Sequence, residues 1–297
     1  MSNPPSDPAL KRSLDALGKT IREHPRDRLE KPLVAPPADV VQLPLWPETK
    51  CGVPNAVLRG ALFAAVQGKD RVAMEREFLA VQKGIKIRYT GWQLDQSDLG
   101  VWEQALRLAR YHPLGMQCHF TARGFLKALG RGGGGRQIES LKSSLSRLTA
   151  CEVQIRCGPH TYAGSLVEAR YENEATGLHM LRLNPDLVKL YRATRWTAVD
   201  WEQRRKLRGK PLALWLQGFY ASHAEPYSLS IKYLHSISGS RTKQLKHFKQ
   251  NLAQALKDLE AAGAIKSFEI DADVVHVESL PSGSQQKSLS KLNSHRK

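Results

Sequence analysis

The sequence predicts an α+β protein, built from two tandem winged helix-turn-helix domains with flexible N- and C-terminal tails. Three observations predict this fold class. A helix, a short helix, a longer helix and a pair of strands follow one another twice along the 297 residues. Each longer helix carries one apolar stripe at helical spacing. Polar, proline-rich or serine-rich segments flank the repeated region, and the repeated order of elements is that of winged helix-turn-helix domains.

The two ends of the chain have the composition of unfolded tails. Residues 1–50 are predicted to form a flexible arm, because the first 41 residues are polar and hold seven of the sixteen prolines. Residues 281–297 are predicted to form a disordered basic tail, since they are rich in serine and lysine and show no apolar periodicity. The repeated pattern therefore lies between these two segments.

The first copy of the pattern is predicted over residues 51–195. Its helices are expected at 101–109, 121–129 and 136–149, and the glycine-rich residues 130–135 form the turn between the last two. The apolar stripe of the third helix is expected to contain Ile138, Leu141, Leu145 and Leu148. Strands are expected at EVQIR, TYAGSLVEARYE and LHMLRL, so that the segment RCGPHTYAG forms the wing.

The second copy is predicted over residues 196–280. Its helices are expected at 210–222, 230–237 and 241–262, and Gly263 is a helix stop signal. The strands IKSFEI and VVHVES are expected to form the second wing, with Asp271, Ala272 and Asp273 at its tip.

The third helix of the second copy is predicted to bind DNA. Its first ten residues, RTKQLKHFKQ, contain four lysines or arginines and no acid. Leu245, Phe248 and Leu252 are expected to face a core, which leaves the polar side chains on the opposite face. The predicted contacts are Arg241, Thr242, Lys243, Gln244, Lys246, His247, Lys249 and Gln250. The alternative is a solvated helix without a ligand, although such a helix usually mixes both signs of charge.

The overall charge indicates a polyanionic partner. The formal net charge is +17 and the isoelectric point is about 9.9, so nucleic acid is the first candidate and a membrane surface the second. No segment approaches the roughly 20 apolar residues of a spanning helix, and the N-terminal residues lack a signal-peptide core. We therefore expect a cytoplasmic protein without a membrane partner.

No constellation of residues predicts catalysis or a cofactor. The four cysteines form neither a CxxC pair nor a zinc-type cluster with histidine, so reduced thiols and no metal site are expected. The glycine run of residues 130–135 lacks the lysine and hydroxyl residue of a nucleotide loop and follows a predicted helix instead of a strand. We therefore expect a binding protein that is not an enzyme and uses no cofactor.

Seven segments resemble blocks of the TrfA family of plasmid replication initiators, in the family's order, over residues 42–279. They are WPET, PNAVLRGALF, IRYTGWQL, VWEQAL, LSRLTA, DWEQRRKL and SHAEPYSL. The resemblance implies a sequence-specific protein that binds direct repeats, called iterons, in double-stranded plasmid origin DNA and promotes origin melting. It also implies contact with AT-rich single strands, recruitment of the host initiator and replicative helicase, and a monomer-dimer equilibrium. Two basic winged helices alone would equally suit a transcriptional repressor, and a relaxase-like enzyme is the third interpretation.

The matching blocks suggest further DNA contacts in the first copy. Its third helix contributes Arg136, Gln137, Ser140 and Arg147, and its wing contributes Arg156, His160 and Thr161. Arginine pairs with guanine and glutamine with adenine, whereas serine and threonine more often contact phosphate or a thymine methyl group. For Ser140 and Arg147, the alternative is a position beside the apolar stripe.

The segment Gln42-Leu43-Pro44-Leu45-Trp46 resembles a peptide that binds the replicative sliding clamp. Gln42, Leu43, Leu45 and Trp46 would be its anchors, and an arm of this kind becomes ordered only on binding. The alternative is that Leu45 and Trp46 dock the arm on the first domain.

Overall fold

In the computed structural model, the described part of the chain comprises residues 41–281 and 285–286. The first 40 residues of the predicted arm lie outside it, as does the predicted basic tail apart from residues 281, 285 and 286. The described residues mix helices and strands, in agreement with the predicted α+β class.

The bounds of the elements are as follows. The helices are α1 (Asn55–Leu58), α2 (Gln96–Ala109), α3 (Ala122–Ala128), α4 (Gly135–Ala150), α5 (Leu187–Thr194), α6 (Trp201–Lys206), α7 (Pro211–Ala221), α8 (Ile231–Ile237) and α9 (Leu245–Ala261), with a 3₁₀ turn at Gly68–Asp70. The strands are β1 (Lys50–Pro54), β2 (Phe63–Ala64), β3 (Ala73–Leu79), β4 (Ile85–Trp92), β5 (Leu94–Asp95), β6 (Gln117–Thr121), β7 (Glu152–Cys157), β8 (His160–Gly164), β9 (Ala169–Asn173), β10 (Leu178–Arg182), β11 (Trp196–Asp200), β12 (Leu229–Ser230), β13 (Ile265–Asp271) and β14 (Val274–Ser279).

Two regions share one topology, and we call residues 96–182 the first unit and residues 211–279 the second unit. The first unit contains, in chain order, helix α2, strand β6, helices α3 and α4 and the hairpin β9–β10. Its three strands form an antiparallel sheet of order β6-β10-β9. The second unit contains, in chain order, α7, β12, α8, α9 and the hairpin β13–β14. Its three strands form a sheet of order β12-β14-β13. The repeated order of three helices predicted from the sequence is therefore present in both units.

The start of the short helix and the turn after it are built alike in both units. The hydroxyl of Thr121 caps α3 and that of Ser230 caps α8, because each oxygen accepts a hydrogen bond from a free backbone N–H. Gly130 follows α3 with φ of +67° and Gly239 follows α8 with φ of +64°. Only glycine adopts this left-handed conformation without strain, so both turns require it.

The first unit contains a hairpin that the second lacks. Strands β7 and β8 follow α4 and join an antiparallel sheet of order β3-β4-β7-β8, in which Ile87 pairs with Ile155 and Tyr89 with Val153. The sheet position of the second hairpin, β13–β14, is taken in the first unit by β9–β10. The prediction that RCGPHTYAG is the equivalent wing is therefore wrong, because β7 and β8 extend the sheet of β3 and β4 instead. The single strand predicted at TYAGSLVEARYE is two strands, β8 and β9, in different sheets.

The buried apolar side chains form two core clusters, of which the first contains the core of the first unit together with residues before and after it, and the second contains the core of the second unit. Val199 and Trp201 still belong to the first cluster, and Leu207 is the first residue of the second. The change comes after the predicted boundary at residue 196, because β11 pairs along its length with β1.

The junction between the two clusters is held by polar contacts, namely a buried ion pair and hydrogen bonds. Arg204 of α6 lies 2.7 Å from Glu103 of α2, and both side chains are buried. Burial raises the pKa of Glu103 to about 7, although Arg204 opposes the shift. The indole N–H of Trp215 donates to the carbonyl of Gly60 at 3.0 Å. Residues 196–208 are thus part of the fold and not a free linker.

Residues 41–49 pack on the first cluster, which corrects the predicted arm at this end. The side chains of Leu43 and Trp46 are 2% and 6% exposed, whereas Leu45 is 73% exposed. Trp46 stacks parallel to Tyr191 and covers Gly52, where no side chain would fit. Leu43 and Trp46 are therefore not free to anchor a partner, as the clamp-binding hypothesis requires, and the side chain of Gln42 donates to the Arg110 carbonyl. Of the two residues that the docking alternative named, Trp46 is buried as expected and Leu45 is exposed, so the alternative is wrong for Leu45.

Two helix starts differ from the prediction. Helix α2 begins at Gln96, five residues early, because Asp95 caps it by accepting from the N–H groups of Ser97 and Asp98. Helix α9 begins at Leu245, so the predicted contacts Arg241 to Gln244 precede it. As a first-turn residue, Leu245 stays 40% exposed and does not join the core stripe.

Candidate nucleic-acid interface

Helix α9 presents its polar face to solvent, as predicted. Phe248, Leu252 and Leu256 are buried in the second core cluster. Because this fixes the rotation of the helix, Lys246, His247 and Gln250 project from the exposed side. No acid lies in the first turn of α9 and no side chain caps it, so the partial positive charge of the helix end adds to that of the lysines.

The segment before α9 is held against the neighbouring elements. Nε2 of His235 lies 2.9 Å from the Thr242 carbonyl oxygen, and the Ser240 hydroxyl donates to that of Thr242. Nε of Arg241 donates to Oε1 of Gln93 at 3.1 Å. Lys243 and Gln244 are exposed. These residues form a bonded loop, in which Thr242 is half-buried, instead of a helical face.

Lys249 differs from the other lysines of α9 because it contacts the hairpin tip. Its ammonium group donates to the carbonyl of Ala272 and lies 3.2 Å from Oδ1 of Asp273. Such a pair at the surface is weak and can open. The acidic tip nevertheless reduces the positive charge that Lys249 presents outward.

Helix α4 occupies in the first unit the place of α9 in the second. Arg136, Gln137 and Ser140 are exposed on its first turns, while Leu141, Leu145 and Leu148 are buried. Gly134 precedes the helix without any side-chain cap, which leaves the first N–H groups of α4 uncapped by a side chain. Ser140 is exposed although it lies beside the buried Leu141, so its side chain is available to a ligand.

The prediction that Arg147 contacts DNA is wrong. Its guanidinium group lies 2.7 Å from Oδ1 of Asp98, a fully buried residue of α2. The guanidinium group of Arg71 lies 3.4 Å from Oδ2 of the same carboxylate. A buried carboxylate needs such partners, so Arg147 holds α4 against α2 and is not available to the groove of a duplex.

Arg156, His160 and Thr161 are exposed on the β7–β8 hairpin. Arg156 pairs in register with Lys86 of β4 and with Thr161 of β8. These residues therefore form part of a basic sheet face. The hairpin at the wing position of the first unit, β9–β10, instead has the turn Glu174–Gly177, which the sequence analysis did not select.

The structure offers no metal centre and no membrane segment within its described part. No group of three or more histidine, cysteine, aspartate or glutamate side chains could hold a metal ion among those residues. No helix in residues 41–281 is both long and apolar enough to cross a bilayer. The four cysteines are unpaired.

A family model described as TrfA protein matches residues 36–279. The chain belongs to the TrfA family. Over 242 residues it is 30% identical to the plasmid replication initiator protein TrfA of Escherichia coli, which confirms the resemblance found in the sequence. This alignment covers 78% of the chain but only 62% of that relative, so the chain spans less than two thirds of the relative's length.

Two solved structures are similar to this TrfA-family chain. Domains 2 and 3 of RctB match with a TM-score of 0.52 and 14% identity, covering 76% of this chain and 98% of that one. The Pi initiator protein in complex with iteron DNA matches with a TM-score of 0.46 and 10% identity, covering 63% and 94%. At this level of identity, the similarity to RctB shows only that the two folds are alike.

Sequence analysis missed two basic residues of the TrfA-family fold, Arg131 and Arg208. Arg131 lies inside the glycine-rich turn and donates to the Ser97 hydroxyl at 3.2 Å, and Arg208 donates to the carbonyl of Gly130. Nothing in their local spacing distinguishes them from ordinary surface arginines. The one available signal was the position of Arg131 within a run of glycines.

Proposed function

We propose that this chain is a sequence-specific plasmid replication initiator that binds direct repeats at an origin through two tandem winged helix-turn-helix domains. The observation that carries the proposal is the equivalence of α4 and α9. Both follow a short helix and a left-handed glycine turn, and both expose polar first turns without an acid. Membership of the TrfA family supports the same role.

In this proposal α4 and α9 enter successive major grooves of one duplex. Arg136 and Gln137 would read bases from α4, since arginine pairs with guanine and glutamine with adenine. His247 and Gln250 would do so from α9, while Lys246 contacts phosphate and sets the register. The bonded junction at Arg204 and Glu103 keeps the helices at one separation, which favours repeats whose two half-sites lie at one distance from each other.

We further propose that the protein acts by binding and without catalysis. Two rigidly joined modules that grip one duplex can bend or untwist it, and the binding energy offsets the cost of deformation. AT-rich DNA beside the repeats would open most easily, and exposed single strands, the host initiator and the replicative helicase would then be its partners. The name of the relative, a plasmid replication initiator, supports this role.

Footprinting on the plasmid that carries the gene tests the proposal. We expect protection of direct repeats spaced by about two helical turns of about 10 base pairs each. Permanganate reactivity should show opened thymines beside the repeats when the protein is added. Protection of a palindrome over its own promoter, without opened thymines, would instead identify a repressor.

A further inference from the structure

A cleft runs between the two units, from one proposed recognition helix to the other. One cavity of about 690 Å³ is bordered by the start of α7, by Lys243 and by Asn251 and Gln254 of α9. A second cavity of about 450 Å³ is bordered by the glycine turn and by Gln137 and Ser140 of α4. The two cavities adjoin, because Val66, Gln67 and Pro211 line both.

The cleft is lined with cations whose partners are neutral. Arg131 donates to Ser97, Arg208 to the carbonyl of Gly130 and Arg241 to the amide oxygen of Gln93. These acceptors hold the guanidinium groups in place without cancelling their charge. Lys243 is exposed and also lines the cleft. None of the four forms an ion pair within the part of the chain that the structure describes.

The arginines at the centre of the cleft are close enough to interact. Burial lowers the pKa of Arg131, and nearby Arg208 lowers it further, while Asp95 and Asp98 act in the opposite direction. Those two carboxylates are already bonded to Arg71 and Arg147. Two like charges held side by side favour an anion between them.

Most of the carboxylates in the cleft are neutralised. Asp258 lies 2.8 Å from Lys210, and Asp95 is bonded to Arg71. Asp70, in the 3₁₀ turn at the rim, is the exception among the described lining residues, since it forms no ion pair there. The cleft therefore keeps a positive balance at its centre and one exposed acid at its edge.

We propose that this cleft binds the sugar-phosphate backbone of the DNA between the two recognition helices, with Arg131, Arg208 and Lys243 contacting phosphates. The proposal rests on the proposed function, because a duplex that occupies both helices must pass the cleft. The contacts are independent of sequence, since guanidinium and ammonium groups recognise phosphates of any nucleotide. A free nucleotide is a poorer occupant, because the cations extend over both cavities.

The test measures how salt affects binding of the full chain to two labelled duplexes, one with an origin repeat and one scrambled. Arg208→Ala and Lys243→Ala should each reduce the slope of log affinity against log salt by about one unit. At about 0.1 M salt this is a loss of roughly eightfold for each variant. The loss should be equal on both duplexes, and Arg208→Lys should keep most of the slope.

A matched control is Arg192→Ala, an exposed arginine of α5 that lines neither cavity. It should leave the slope unchanged. Asp70→Asn should strengthen binding to both duplexes, because it removes the acid at the rim. Thermal unfolding of each variant checks that the fold is retained.

The possible results separate the two proposals. Wild-type slopes for both alanine variants, or a loss confined to the repeat duplex, would overturn the backbone site. If the wild-type chain fails to prefer the repeat but the variants still reduce the slope, the cleft binds DNA backbone and the sequence-specific function is wrong. If the wild-type chain prefers the repeat but the alanine variants keep the wild-type slope, the sequence-specific function stands and the proposed backbone site is wrong.

Discussion

The two units have the same topology but different surroundings. The second unit consists of three helices and a three-stranded sheet, whereas the first inserts β7 and β8 between its third helix and its hairpin. The inserted strands continue a sheet begun by β3 and β4, outside the unit. The repeated local pattern thus predicts the presence and order of the helices in both units. It does not predict which sheet a strand joins, because any strand with an alternating apolar face can pair with several edges.

Helices α4 and α9, the two proposed recognition helices, give a second contrast. Each helix has a basic side chain that forms an ion pair with an aspartate of another element. Arg147 of α4 pairs with the buried Asp98, and Lys249 of α9 pairs with the exposed Asp273. Whether the aspartate is buried decides what each basic side chain can do. Arg147 compensates a charge that would otherwise be costly, while Lys249 can exchange Asp273 for a phosphate.

The largest expected effect comes from breaking the junction that joins the units. Arg204→Met leaves Glu103 buried without its partner and should reduce the free energy of unfolding by about 3–5 kcal/mol. Urea unfolding followed by circular dichroism measures it. The double variant Glu103→Leu with Arg204→Met should recover most of the loss, because it removes both charges. An unchanged midpoint for Arg204→Met would show that the pair does not couple the units.

The equivalent turn glycines should respond unequally to alanine. Both have positive φ, but a Cβ at Gly239 would lie 2.9 Å from the Cβ atoms of Ala61 and Ala64, which belong to the packed junction. Gly239→Ala should therefore cost about 3 kcal/mol, from strain and overpacking together. At Gly130 the nearest atom is the flexible end of Arg205, so alanine there should cost only about 1 kcal/mol.

Gly132 provides the matched control for these turns. A Cβ at this position meets nothing within 4 Å, and its φ is not positive. Gly132→Ala should leave stability unchanged or raise it by about 0.5 kcal/mol, because alanine restricts the unfolded chain. Thermal unfolding ranks the three variants, and equal losses at Gly130 and Gly239 would contradict the difference in packing.

Lysines on α9 should differ according to their partners. Lys246→Ala should lower the salt slope of DNA binding by about one unit, roughly eightfold in affinity at about 0.1 M salt. Lys249→Ala should lower it less, since that lysine must first leave Asp273. Asp273→Asn should strengthen binding, and fluorescence anisotropy over a salt series measures all three. Equal slopes for the two alanine variants would show that Lys249 is as free as Lys246.

The smallest effect concerns His223, a half-buried histidine that follows the first helix of the second unit. Burial lowers the pKa of His223 from 6.5 to about 4, and its ring contacts the Phe219 carbonyl and the side chain of Gln82. Because the unfolded chain binds a proton below pH 6.5 and the folded one does not, stability should fall as the pH decreases from 6.5 towards 4.

The ring is partly accessible, so the loss between pH 7.5 and 5 should be about 1 kcal/mol or less. Unfolding in urea at both pH values measures it. His223→Gln should lose less stability than the wild type over the same interval, because glutamine binds no proton. An identical pH dependence of the two proteins would exclude His223 as the source.

The sequence by itself determined the helices of the two units and the stripes that face their cores. Helical periodicity identifies the buried side of α9, from Phe248 to Leu256, because a helix can bury only one face. It likewise predicted the exposure of Lys246 and Gln250, and the family blocks identified the family. These properties depend on neighbours within a few residues of one another.

The tertiary structure alone decided the partners of single side chains. Arg147 joins Asp98 across 49 residues, Trp46 covers Gly52 beside Tyr191, and Arg131 and Arg208 meet at one turn from opposite sides of the junction. No spacing in the sequence encodes these meetings, because each depends on how separate elements pack. A charge on a helix has the same local pattern whether it faces a buried acid or open solvent, and only packing distinguishes a structural ion pair from a site for phosphate.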